Sequence, residues 1–211
     1  MRKVDFRLLF GILLILGGAL FLLEALDLIA IGGWIWGLAF MVAGAVFLYV
    51  YFAQPEHWWP LIPGCTLAGI GVGILLGSLF PVLDFLTGVF VLGGIGLSFM
   101  LIFLSHRNFW WAIIPAGTLF TLALVTVADR LFIDDVGVPG VLFFGLGLTF
   151  AALALLPTAQ GRMKWPWIPA VVLGLMGVVM IGAGIDKAGI AVAVVMVAAG
   201  LYLILRTARP R

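Results

Sequence analysis

The sequence predicts an all-α fold: a polytopic integral membrane protein with eight transmembrane helices, built as one membrane domain (residues 1–211) from four parallel helical-hairpin repeats. Three observations predict it. Mean hydropathy is +1.32, with 65% of residues apolar and 9% charged, whereas charged residues make up about 25% of an ordinary soluble chain. Eight apolar stretches, roughly 6–26, 33–52, 60–80, 86–104, 110–128, 140–156, 167–185 and 189–205, divide the sequence, and a helix needs about 20 such residues to cross the hydrocarbon core. None shows the alternation of a lipid-facing barrel strand, so each must satisfy its backbone as a helix.

The first span opens like a signal peptide, with Arg2, Lys3 and Arg7 ahead of an apolar run. That run is longer than a signal core, and no small-x-small cleavage site precedes the second span. It reads as a retained signal-anchor. The connectors then alternate in charge. Residues 1–7, 53–59, 105–109, 157–167 and 206–211 hold nine of the eleven basic residues: Arg2, Lys3, Arg7, Arg107, Arg162, Lys164, Arg206, Arg209 and Arg211. The other connectors hold Arg130 and Lys187 with seven of the nine acids: Glu24, Asp27, Asp84, Asp129, Asp134, Asp135 and Asp186. Lys and Arg resist translocation, so both termini should face the cytoplasm in a cell (inner, cytoplasmic) membrane. Basic residues spread over four of these interfacial segments suit anionic lipids and not nucleic acid.

Self-similarity organises the spans. Trp59-x-x-x-Pro63, Trp111-x-x-x-Pro115 and Trp165-x-x-x-Pro169 open the third, fifth and seventh, at intervals of 52 and 54 residues. Phe6-x-x-x-Phe10 is a degenerate first copy, 53 residues before Trp59. The even spans carry their own register: Gly44 to Phe47, Gly96 to Phe99, Gly147 to Phe150 and Gly200 to Leu203, at 52, 51 and 53 residues. One period in two registers predicts repeats at about 6–52, 59–104, 110–156 and 165–205, inserted the same way up.

Trp58, Trp59, Trp110, Trp111, Trp165 and Trp167 fall at the basic rim, where amphipathic rings anchor a helix in the interface. Pro63, Pro115 and Pro169 suit helix starts, where the missing N–H has no partner to lose. A docking ring or ligand entrance is the functional alternative. Gly69, Gly73 and Gly77 make a smooth stripe, joined by Gly33, Gly37, Gly96, Gly147, Gly174 and Gly177 as helix-packing or cavity-lining candidates. Thr66, Ser98, Thr118, Thr121, Thr126 and Thr149 can each bond their own helix.

Chemistry is sparse. No ionisable residue lies near the middle of a span, where ion paths and proton relays place one. Glu24 and Asp129 each follow the repeat's Phe10 or Pro115 by 14 residues and read as interfacial. His57 and His106 are the only histidines, at non-equivalent repeat positions, and Cys65 is the only cysteine. Hydrolase, zincin and redox motifs are missing, and Asp129 to Asp135 lacks calcium-loop spacing. No catalytic residue, cofactor or metal site is expected, and no enzyme activity.

Gly11-Ile12-Leu13-Leu14-Ile15-Leu16-Gly17-Gly18, then Phe21-Leu22-Leu23-Glu24-Ala25-Leu26, precede a helix with Trp36-Gly37 and Gly44. This first hairpin resembles the transmembrane region of the LiaI/LiaF-like membrane proteins of bacteria. The resemblance implies a non-enzymatic scaffold or sensor linked to cell-envelope stress. The chain is expected to depart from that pattern, with four hairpins where the family has one and without the soluble C-terminal domain of the LiaF type. Alternative expectations are a transporter or channel for a neutral or lipidic small molecule, and a subunit of a larger membrane complex. Expected partners are membrane lipids, other membrane or cytoplasmic proteins, or a second copy.

Overall fold

A computed structural model describes residues 6–28, 32–131, 138–157, 161–183, 189, 190 and 193. Seven α-helices account for most of them: α1 (Phe6–Ala25), α2 (Gly33–Ala53), α3 (Leu61–Leu79), α4 (Leu86–Ser105), α5 (Ile113–Leu131), α6 (Val138–Leu155) and α7 (Trp167–Ala183). Short 3-10 turns at Pro81–Leu83 and Trp110–Ala112 lead into α4 and α5. Five stretches are long and apolar enough to cross a bilayer, as in a multi-pass membrane protein: Gly33–Ala53, Leu61–Leu79, Leu86–Ser105, Trp110–Arg130 and Val138–Leu155. Leu14–Ala25 and Trp167–Gly182 are shorter apolar stretches. The expected eighth span, with Gly200 to Leu203, lies outside the described residues apart from 189, 190 and 193, as do Asp134, Asp135, Asp186 and the terminal basic residues.

Helix boundaries follow local chemistry. α3, α5 and α7 begin two residues after their motif Trp, making Pro63, Pro115 and Pro169 the third helical residue of each. The turn ahead of α3 shows why proline is harmless there. The Leu61, Ile62 and Gly64 amides donate to the Trp58, Trp59 and Pro60 carbonyls, and Pro63 fills the one position without an amide. The Trp167, Ile168 and Ala170 amides repeat this around Pro169. α6 starts two residues earlier than the apolar pattern indicates, because Pro139 is accommodated in its first turn.

α1 ends in a Schellman cap. The Leu28 amide donates to the Leu23 carbonyl and the Asp27 amide to the Glu24 carbonyl, both at 3.0 Å, with Asp27 left-handed at φ 53°. That cap holds Glu24 in the last turn of the helix.

The chain folds as two compact units that divide within α4, between Gly94 and Ile95. In the first, glycines on two faces of α3 admit two neighbours. Towards α2, a methyl group built on Gly44 would lie 2.7 Å from the Ala68 amide nitrogen and 2.8 Å from the Gly64 carbonyl oxygen. Gly37 and Gly71 meet one another's carbonyls in the same way. Towards the start of α4, Gly69 faces the Phe90 carbonyl, Gly73 faces Thr87 and Gly77 faces Asp84. Here packing and hydrogen bonding coincide, since the Thr87 hydroxyl donates to the Gly73 carbonyl at 3.2 Å. Small residues that bring backbones together are the main source of helix association where no water is squeezed out.

In the second unit, α5 and α6 meet through a reciprocal pair. Gly117 faces Thr149, and Gly145 faces Thr121. Each Thr hydroxyl donates back to its own helix, Thr121 to the Gly117 carbonyl at 2.8 Å and Thr149 to the Gly145 carbonyl at 2.9 Å. The hydroxyl is thereby satisfied within its own helix, and methyl and hydroxyl together fill the notch that the opposite glycine leaves. Thr121→Val, which keeps the shape and removes only this local bond, should change thermal stability by under about 1 kcal/mol, whereas Gly117→Val should unfold the pair. Equal losses in a melting assay would contradict this division of labour. Gly147 and Gly177 of α6 and α7 likewise abut the Gly174 and Phe144 backbones. The core of this unit is Ile102, Phe103, Ala112, Ile113, Ala116, Leu153, Ala154 and Ala170.

Candidate functional site

Two places gather the residues that chemistry would use: a set of aromatic clasps at helix junctions, and a groove between α1 and α2.

The clasps join the two sequence registers. Phe47 on α2 meets Trp59 edge-on, with ring centroids 6.3 Å apart and planes at 76°. Phe99 on α4 meets Trp111 at 6.1 Å and 71°. Phe150 on α6 meets Trp165 at 6.1 Å and 69°. Edge-to-face contact suits the ring quadrupole and adds about 0.5–1.5 kcal/mol beyond area burial. A double-mutant cycle on Phe99→Leu and Trp111→Leu should return a coupling in that range, and strict additivity of the two melting shifts would remove the clasp as an energetic unit.

Beside each clasp the even-helix glycine sits on the next helix, five residues after the Trp. A methyl on Gly44, Gly96 or Gly147 would lie 2.8, 3.3 or 3.1 Å from the carbonyl oxygen of Gly64, Ala116 or Ala170. Trp59, Trp111, Trp165 and Trp167 remain between 38% and 47% exposed, as suits amphipathic side chains at an interface. Trp58 and Trp110 are half-buried, and Trp110 packs edge-on against Trp165 at 6.3 Å. Pro63, Pro115 and Pro169 are half-buried helix starts.

The groove is an apolar cavity of about 540 Å³. Leu14, Leu16, Gly17 and Leu20 of α1 form one wall, Trp36, Ala39, Ala43 and Phe47 lie on the other, and Leu67 of α3 completes it. Leu14 and Gly17, Leu16 and Leu20, and Trp36, Ala39, Ala43 and Phe47 are spaced by three or four, as neighbours on a helix surface are. Glu24 continues the α1 face, four residues beyond Leu20. Its Oε2 accepts a 2.6 Å hydrogen bond from Trp36 Nε1. Trp36 is held in place by Phe21 and Phe40, each with ring centroids 6.4 Å away. The negative end of the α1 dipole disfavours a carboxylate in the last turn, so the indole donor offsets an otherwise unfavourable placement. Glu24→Leu should detach the end of α1 from α2. Faster amide exchange over residues 20–26 reads this out, and unchanged exchange would show that the bond holds nothing.

The remaining candidates are dispersed. Asp129 is exposed at the end of α5, so its sequence equivalence to Glu24 does not extend to a shared environment. His57 is exposed, 3.9 Å from Glu56. His106 stacks obliquely on Phe109 at 5.7 Å, and the Arg107 guanidinium lies 4.7 Å over the Phe103 ring. Cys65 is buried in α3. Among the described residues no three His, Cys, Asp or Glu side chains converge as a metal site would require. Thr66, Thr118 and Thr126 bond the carbonyl four residues back, and Ser98 the Ile95 carbonyl.

Sequence reasoning missed the Glu24–Trp36 bond and the Phe–Trp pairing. The signal for the second was present, since Phe47, Phe99 and Phe150 recur at nearly the intervals of the tryptophans. Comparison with protein-family models, curated proteins and solved structures finds no match.

Proposed function

We propose that the chain is a non-enzymatic scaffold or sensor of a bacterial cytoplasmic membrane, built from four parallel hairpins in eight spans, with both termini cytoplasmic. The recurrence of one junction carries this reading. Clasp and glycine seat repeat between α2 and α3, α4 and α5, and α6 and α7. Such a duplicated, backbone-to-backbone contact holds helices at fixed spacing, which suits a platform better than a moving carrier. Locally satisfied Thr and Ser hydroxyls support the same view, because they offer a passing solute little to bind. The likeness of the first hairpin to LiaI/LiaF-like proteins adds a link to envelope stress.

Two measurements test it together. Cells lacking the protein should become more sensitive to cell-wall-active compounds and recover when it is restored. Liposomes containing the purified chain should pass glycerol no faster than empty ones. Unchanged sensitivity together with protein-dependent glycerol flux would replace the scaffold by the rival transporter for neutral molecules.

A further inference from the structure

We propose that the groove between α1 and α2 is a lipid site, which holds one acyl chain of an aminophospholipid and places the primary ammonium group on the Glu24 carboxylate. The inference rests on the chain lying in a bilayer and is independent of the scaffold role.

The dimensions match one leaflet. From Leu14 to Glu24 is ten residues, about 15 Å of helix, half of the ~30 Å hydrocarbon core. The opposite wall covers a similar length, from Trp36 beside Glu24 to Phe47 at the far end. A volume of about 540 Å³ lies within the usual range of small-ligand sites. The mouth opens sideways, since Leu14 and Val42 at its edges are 66% and 60% exposed. A chain can therefore enter from the surrounding bilayer. Gly17 contributes depth: a methyl built there meets nothing within 4 Å.

The polar end selects the headgroup. Glu24 is half-buried at the last turn of α1, where the helix dipole disfavours its charge. Trp36 satisfies only one of its oxygens; Oε1 has no hydrogen-bond partner among the described residues. An ammonium group supplies both the missing donor and the compensating charge, in a charge-assisted contact stronger than a neutral one. A phosphatidylglycerol headgroup offers hydroxyl donors but adds net negative charge beside a carboxylate. A quaternary choline offers charge without an N–H. Of the three, the primary amine alone meets both needs.

The test is native mass spectrometry of the purified full chain, presented with equal amounts of phosphatidylethanolamine and phosphatidylglycerol of identical acyl chains. The wild type should retain one phosphatidylethanolamine with a preference of about tenfold, the worth of one charged hydrogen bond. Glu24→Gln should bring the two lipids to parity. Gly17→Phe, which fills the groove from a position with free space, should abolish retention of both while the helical circular dichroism stays unchanged. Phosphatidylethanolamine carrying a mid-chain diazirine should label peptides 14–20 and 35–47 of the wild type, a readout that does not depend on the complex surviving the spectrometer. Equal retention of the two lipids by the wild type, retention undiminished in folded Gly17→Phe, or labelling confined to other peptides or to a second copy would each overturn the proposal.

Discussion

A single methyl group at Gly44 or Gly147 is expected to destabilise the protein by roughly 2–3 kcal/mol, towards the upper end of what overpacking costs. For a chain of this size that is a fall in melting temperature of roughly 4–12 °C. At Gly44 the added carbon would sit 2.7 Å from the Ala68 nitrogen, and at Gly147 2.6 Å from the Gly174 nitrogen. Both obstacles are backbone, so no rotamer change relieves them and the helices must separate. Gly96 occupies the same place in the sequence register, yet its nearest neighbour is the Phe120 ring at 3.2 Å. A partly exposed ring can swing aside, so Gly96→Ala should lower the melting temperature far less. Gly93→Ala, with nothing within 4 Å, should be neutral or slightly stabilising through helix propensity. Melting of the four purified variants in detergent gives the order directly. If Gly93→Ala fell as far as Gly44→Ala, the close approaches would not be what holds these helices together.

Thiol labelling of intact cells should give an all-or-none answer on orientation. With Cys65 replaced by Ala, the substitutions Asp84→Cys, Arg107→Cys and Arg162→Cys each place a thiol at an exposed connector position. A membrane-impermeant maleimide should label Asp84→Cys on intact cells, and Arg107→Cys and Arg162→Cys only once the membrane is opened. The expectation follows from the cost of moving Arg through the bilayer, about 2.5–3.5 kcal/mol per residue at the helix centre. Four segments carrying Lys or Arg, all expected on one side, multiply that bias. The opposite labelling pattern would invert the proposed topology and every assignment of a rim to a compartment.

Much of the helical layout could be read from one dimension. The starts of α3 and α7 were marked by Trp and Pro, because proline is tolerated only where an amide has no intrahelical partner. The local bonding of Thr121 and Thr149 followed from side-chain chemistry alone. Glu24 was different. Its partner Trp36 lies twelve residues away across a turn, and nothing in the spacing of either residue announces a bond. The Thr–Gly reciprocity of α5 and α6 was legible only as two Gly-x-x-x-Thr steps, 117–121 and 145–149, with no indication that they face each other.

Composition along the chain was enough for the solvent and the elements: apolar helices of bilayer length, most of their starts, and a bias of basic residues towards alternate connectors. These depend on composition along the chain and on its partition between water and hydrocarbon. Helix packing settled the rest: which faces meet, that the Phe register closes on the Trp register, and that an apolar groove lies between α1 and α2. The solvent explains this division. A helix that is apolar all round carries no buried-face signature, and in hydrocarbon its partner is chosen by shape, glycine against backbone, which becomes visible only when two helices are placed side by side.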